Sequence, residues 1–163
     1  MAIFRPFKAL RPTSELASRV AALPYDVMNS EEAKEMVKGN PYSFLHIDKA
    51  EIDLPDGTDL YSDAVYQKAS QNLKESEEKG VMISDEAPCF YIYRQIMNGR
   101  EQTGLVGCAW VDDYINNRIK KHELTRADKE ADRIRHVDTC DANTGPIFLC
   151  YKGKSDITEI IDK

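Results

Sequence analysis

The sequence predicts an α+β fold, a mixed and mostly antiparallel sheet around a central hairpin at 89–110, with helices packed on it. Three observations carry this. Asn98-Gly99 stands between two apolar runs, and its tolerance of positive φ suits a two-residue type I′ turn. Residues 61–79 place Ala64, Val65, Ala69 and Leu73 on one helical stripe, with Gly80 as its stop. A hydrophobic content of 42% beside 31% charged residues, in 163 residues, describes one globular domain with a substantial core.

The elements follow in order. Residues 3–10 read as an apolar strand and 14–22 as a short helix, broken where Pro24 pushes Leu23 into an extended conformation. Asn29 followed by Glu32 is a capping-box pattern, so 30–38 should be helical and stop at Gly39. Asn40-Pro41 breaks the chain, and 42–47 reads as a strand on which His46 is a satisfied core histidine. The acidic stretch 48–60 turns at Pro55-Asp56-Gly57, and the 61–79 helix follows.

The hairpin turn fixes the register, placing Tyr91 opposite Val106 and Cys89 opposite Cys108. Tyr91, Tyr93 and Val106 on one face and Phe90, Ile92 and Leu105 on the other predict a strand pair buried on both sides, in the middle of a sheet. Gly104 and Gly107 lie inside a strand, so they are no dinucleotide fingerprint; they let a neighbouring element approach closely. A turn at 143–146 leads to a strand at 147–151. The amphipathic turns from Ser155 onward look severed, so 1–163 reads as a single domain forming the N-terminal part of a longer chain.

Composition excludes several classes of function. No segment is long and apolar enough for a membrane span, and the N-terminus lacks a signal-peptide run, so the expectation is cytoplasmic. Cys89, Cys108, Cys140 and Cys150 show no metal-site spacing and are expected to be buried free thiols. A net charge of -6 argues against a general nucleic-acid binder.

Against that acidic background, residues 118–136 carry seven Lys/Arg, four Asp/Glu and two of the three histidines. A basic island in an acidic chain points to an anionic ligand, above all a phosphate. Thr125 with Asp128 resembles a capping box. A helix starting there puts Arg126, Lys129, Arg133 and His136 on one face as a cationic ridge, and Ala127, Ala131 and Ile134 on a packing face. The helix start and the preceding Lys120, Lys121 and His122 would add donors for a phosphate. Composition alone leaves a solvated face and an anion site equally open, and the two histidines tilt the balance toward function. Glu123, among bases, is the candidate general base or a structural counter-ion. Asp112, next to Asp113 at a strand end, and Asp26 are candidate metal ligands, with helix capping as the alternative for the Asp112-Asp113 pair. Thr144-Gly145 offers a hydroxyl and an approachable amide.

Several strings are recognisable in order: Pro6-Phe7-Lys8-Ala9-Leu10-Arg11-Pro12, Leu23-Pro24-Tyr25-Asp26-Val27, Asn40-Pro41-Tyr42-Ser43-Phe44-Leu45-His46 and Glu51-Ile52-Asp53-Leu54-Pro55. Tyr91-Ile92-Tyr93-Arg94-Gln95, Gln102-Thr103-Gly104-Leu105-Val106-Gly107, Ile119-Lys120-Lys121-His122-Glu123 and Thr144-Gly145-Pro146 complete the set. Together they resemble the bacterial and archaeal family named domain of unknown function 1015, over essentially the whole chain. The resemblance implies a full-length protein much longer than this chain. It also implies a distant similarity to ParB/sulfiredoxin-like proteins and free-serine kinases through an Asp-Gly-His-His-Arg motif that this chain lacks.

The expected function is therefore part of a nucleotide- or phosphate-binding, small-molecule phosphotransferase-like protein. Lys120, Lys121, Arg126, Lys129, Arg133, His136, Thr144 and Gly145 would hold phosphate, His122 and Glu123 would be catalytic, and Asp26 or Asp112 would hold Mg²⁺ with ATP or ADP. Expected partners are a phosphate-bearing small molecule and the C-terminal half of the full-length protein. The alternative is a non-enzymatic, ParB-like nucleic-acid-associated or regulatory module, whose DNA affinity would fall steeply with salt.

Overall fold

Two units, each assembled from separated stretches of chain, make up the computed structural model, which describes residues 2–121 and 124–161. Unit 1 takes residues 1–9, 85–123 and 145–163; unit 2 takes 10–84 and 124–144. The α+β class is as expected. The strands, however, do not join into one sheet: among the described residues they form three separate two-stranded antiparallel ladders.

In unit 1, β1 (Phe4–Arg5) pairs with β6 (Cys108–Ala109), and β4 (Tyr91–Met97) pairs with β5 (Arg100–Val106). The Asn98-Gly99 turn forms as predicted, with φ of 51° and 76°, and Tyr91 faces Val106. Cys89 and Cys108 do not face each other. The N-terminal segment takes both places, Arg5 pairing with Cys108 and Phe7 bridging to Cys89. Gly107 makes this possible, because an added Cβ there would lie 2.7 Å from the Phe4 ring and 2.9 Å from the Arg5 carbonyl. Gly104 is under no such demand, since a Cβ there would make only an ordinary 3.9 Å contact with the Tyr93 carbonyl.

The hairpin is not buried on both faces. Ile96 and Met97 are 69% and 74% exposed, because no third strand pairs with either edge among the described residues. Apolar residues on both faces state what a strand would tolerate, not whether a partner is present. Residues 147–151 are likewise no strand, and Ile147 and Phe148 are exposed. The expectation of four buried thiols also fails, since Cys89, Cys108 and Cys150 are exposed and only Cys140 is buried. After β6, α5 (Val111–Ile115) follows, and α7 (Ser155–Ile161) forms at the expected place.

In unit 2, β2 (Leu10–Pro12) pairs with β3 (Met82–Ser84), and the first predicted helix shortens to α1 (Ala17–Val20). The capping box of α2 (Ser30–Met36) is complete: the Glu32 amide donates to Asn29 Oδ1 and the Asn29 amide to Glu32 Oε2, both at 2.9 Å. The predicted strand at 42–47 is instead α3 (Leu45–Asp48), followed by a 3₁₀ turn (Ala50–Asp53). With no strand beside it, the segment satisfies its backbone locally, through Asp48 N–H to the Phe44 carbonyl and Lys49 N–H to the Leu45 carbonyl. The long helix α4 (Asp63–Glu78) buries Val65, Tyr66, Ala69 and Leu73, and Gly80 follows it at positive φ. Its stripe meets Ile47, Ala50 and Cys140 in the core. Cys140 belongs to α6 (Ala127–Cys140), which carries most of the basic island.

Candidate functional site

The basic island crosses the boundary between the units, with 118–123 in unit 1 and 124–136 in unit 2. His122 and Glu123, expected to be catalytic, lie outside the described residues. In unit 1, Lys120 and Lys121 are exposed, and Lys121 rests over Tyr114 at 4.8 Å. Gly145, also in unit 1, is exposed and open around its Cα, whereas Thr144 falls in unit 2.

Asp112 and Asp113 have different duties in unit 1. Both stand in the first turn of α5, and Asp112 Oδ2 accepts from the Trp110 indole at 3.0 Å. Asp113 is 1% exposed and accepts from the Ile3 amide at 2.6 Å and from Arg118 Nη1 at 3.0 Å. The Ile3 amide, foremost, holds its carboxyl below the usual range against the opposing effect of desolvation, and Arg118 adds to this. It is a clasp on the N-terminal strand. Asp26 lies in unit 2, exposed, in a 3₁₀ turn (Tyr25–Val27). Among the described residues no three His, Cys, Asp or Glu side chains gather as a metal site.

In α6 the structure reverses the predicted faces. The N-cap is Arg126, not Thr125, and no side chain caps the helix there. The predicted packing residues Ala127 and Ala131 are exposed, and Ile134 is 62% exposed. The inward line instead runs through Arg133, His136 and Cys140, at spacings of three and four. A polar partner accompanies this orientation: His136 reaches the Ile47 carbonyl of α3, a hydrogen bond that an isoleucine there could not make.

The individual cations are correspondingly engaged. Arg126 pairs with Asp128 at 2.8 Å on the surface. Lys129 donates to the Tyr61 hydroxyl at 3.2 Å, which together with the phenol's field raises its pKa. Arg135 donates to the Tyr61 carbonyl, pairs with Asp63 and lies over the Tyr66 ring. Arg133 stacks over Tyr25 at 4.3 Å and gives Nε and Nη2 to Asp132 Oδ2 at 3.1 and 3.0 Å. Asp132 in turn accepts from the Tyr66 hydroxyl at 2.8 Å. Burial and that carboxylate push the Tyr66 phenol up to about 12.

Arg133 adjoins a polar cluster of the buried His136 with the partly buried Asp48 and Thr144. His136 is 3% exposed, and its Nε2 sits 3.1 Å from the Ile47 carbonyl. Asp48, the next residue after Ile47, is a carboxyl that burial pushes up, opposed by the Thr144 hydroxyl and by the fields of His136 and Arg133. Burial also pushes up the Cys140 thiol, and Asp48 adds to that. Asp48 Oδ1 and His136 Nδ1 are buried and have no hydrogen-bond partner among the described residues.

Of the residues singled out from sequence, the structure therefore brings together Arg133, His136 and Thr144, around the unforeseen Asp48 and Tyr25. Tyr25 had a signal in the chain, standing beside Asp26 in the Leu-Pro-Tyr-Asp-Val string. Asp48 had none, being one acid in a stretch read as strand end and loop. Two open clefts of unit 2, of about 500 Å³ beside Gln71 and Thr139 and about 390 Å³ beside Val27 and Met36, include neither Asp48 nor Arg133. The first cleft is lined by polar and charged side chains, among them Gln71, Lys74 and Glu75, and the second mostly by apolar ones; the candidate site is the polar cluster, where an arginine, a histidine and an acid lie together.

His46 belongs to a separate structure. Nδ1 lies 2.9 Å from Asp53, Nε2 lies 3.2 Å from the Asn40 carbonyl, and Asn72 donates to both Asp53 and the His46 carbonyl. The histidine is satisfied, as expected, but by a clasp joining α3, the 3₁₀ turn and α4.

No curated protein and no solved structure matches this chain. A family model described as protein of unknown function (DUF1015) matches residues 4–163, covering both units. The chain belongs to that family.

Proposed function

We propose that unit 2 contributes part of a phosphate- or nucleotide-binding site in a small-molecule phosphotransfer protein, centred on Arg133 and not on a ridge along α6. One observation carries this reading: Arg133 lies over the Tyr25 ring and is held by Asp132, beside the buried His136 and the partly buried Asp48 and Thr144. Its side chain is partly exposed, and Nη1 carries two further N–H groups for a phosphate oxygen. Phosphoryl transfer relies on positioning and charge stabilisation, which a pre-oriented guanidinium supplies. Bound ATP or ADP would bring Mg²⁺ on its own phosphates. Asp26, adjacent to Tyr25 in the chain, is the one of the two expected metal carboxylates that shares a unit with Arg133.

Thermal shift of the full-length protein with ATP, ADP and inorganic phosphate, with and without Mg²⁺, and with duplex DNA, tests this. Ligand at a hundredfold excess over Kd stabilises by about 2.7 kcal/mol. The shift should be lost in Arg133→Ala and kept in the Arg126→Ala, Lys129→Ala double variant. Absence of a shift with any phosphate, or a full shift in Arg133→Ala, refutes the reading; a shift with DNA alone favours the nucleic-acid module.

A further inference from the structure

Unit 1 has no apolar core of its own. Every buried hydrophobic residue among those described belongs to unit 2, and in unit 1 only the carboxylate residue Asp113 is buried. Its apolar surface gathers in two places. On the hairpin, Ile92, Tyr93, Ile96 and Met97 are between 53% and 74% exposed. After the 143–146 turn, Ile147 and Phe148 are each 78% exposed and Tyr151 60%. Open apolar surface on this scale marks a site of association. The backbone of the two places is complementary. No described strand pairs with the outer edge of β4, and the one charge in that strand, Arg94, is already matched by Glu101 of β5 at 3.0 Å. The strand therefore lacks the free charges and prolines that keep an edge from accepting another strand. Residues 147–151, Ile-Phe-Leu-Cys-Tyr, are uncharged and suited to a strand. They lie in no helix or strand and make no backbone-to-backbone hydrogen bond among the described residues.

We propose that two copies of this chain form a two-fold dimer in which residues 147–151 of each add to the β4 edge of the other. Within one chain the segment leaves that edge bare, and a reciprocal exchange satisfies both needs twice over. Charge permits the meeting at unit 1 and nowhere else as readily. Of the chain's 22 Lys/Arg and 28 Asp/Glu, ten and nine fall in unit 1, leaving twelve and nineteen to unit 2. Unit 1 is close to neutral, so two copies of an acidic protein can approach there without strong repulsion. The exposed side chains named above hold on the order of 700 Å² of open surface per copy. That is close to the roughly 800 Å² each partner buries in a standard interface. The dimer does not depend on the phosphate reading, which concerns unit 2.

Sedimentation velocity of the full-length protein over a range of concentrations should show a monomer giving way to a dimer. Hydrogen exchange at the 147–151 amides should slow in step with it. Phe148→Asp and Ile96→Lys alter exposed side chains, so each should keep the helical circular dichroism signal. Each should weaken the dimer at least about thirtyfold, the scale of an interface hot spot. A monomer at every concentration overturns the proposal, and protected 147–151 amides in that monomer would show the segment covered within its own molecule. A dimer that survives both variants is held by another surface and overturns it as well. The exchange measurement needs no variant: amides of 147–151 that exchange equally fast in dilute and concentrated wild type refute the strand exchange by themselves.

Discussion

Replacing Asp53 with asparagine isolates the charge in the His46 clasp without changing its shape. The substituted amide could still accept from His46 through its oxygen and keep contact with Asn72, so the loss is the difference between a charge-assisted and a neutral hydrogen bond. That difference is about 1 kcal/mol, taken low because both side chains keep some solvent contact. For a chain of this size it corresponds to a Tm decrease of about 2–4 °C. The effect should depend on pH. The Asp53 hydrogen bond chiefly raises the His46 pKa above its usual 6.5, burial and Lys68 opposing. The clasp's contribution from His46 is therefore full below about pH 6.5 and is lost as pH rises through the higher folded value. For Asp53, burial raises the pKa, but His46, Asn72 and Lys68 together carry it below the usual 3.8. Its contribution is present above that value and is lost only as pH falls through the lowered one. Urea unfolding of wild type and Asp53→Asn should thus differ by about 1 kcal/mol near pH 5.5, and by clearly less near pH 9. At high pH a neutral ring can donate to Asp53 or to the Asn40 carbonyl, but not to both. An equal gap at the two pH values would refute the assignment of an imidazolium between two acceptors.

Three other outcomes are expected. Gly107→Ala should destabilise by about 1–3 kcal/mol in chemical unfolding, because the new Cβ meets the Phe4 ring and the Arg5 backbone; a neutral result would mean the N-terminal strand does not lie against it. Leu73→Ala should cost about 2–5 kcal/mol through a cavity among Ile47, Val65 and Cys140, whereas a loss below about 1 kcal/mol would place Leu73 outside the core. Asp113→Asn should speed hydrogen exchange at the Ile3 amide selectively, and wild type should show the same acceleration as pH falls through the lowered Asp113 pKa. Unchanged exchange would deny the clasp.

The local signals in the sequence proved the dependable ones. The Asn29–Glu32 capping box and the Asn98-Gly99 turn are written into a few adjacent residues, and both formed. The 61–79 helix shows its period over several turns, and the structure departs from it only at the ends. Segments 42–47 and 147–151 offered apolar residues without a partner strand, and pairing is a property of the neighbour as much as of the strand. For the same reason α6 was legible as a helix but not in its orientation. Its aliphatic residues suggested the inward face, while the Ile47 carbonyl of α3 draws His136 inward instead. Thr144 could be picked out from its turn, yet its link to Asp48 spans nearly a hundred residues and leaves no mark in either local pattern.

The interleaving of the two units has a consequence for how the protein is made. The chain passes between them four times, and unit 2 completes its core only with Cys140. During synthesis residues 10–84 would wait, with the Val65–Leu73 stripe of α4 covered by Ile47 and Ala50 but not by Cys140, until α6 has left the ribosome about sixty residues later, a delay of several seconds at about 5–20 residues per second. A nascent chain stalled before α6 should therefore recruit chaperones that one stalled well after it does not, and vulnerability in the cell would be set by the order of emergence as well as by the finished stability.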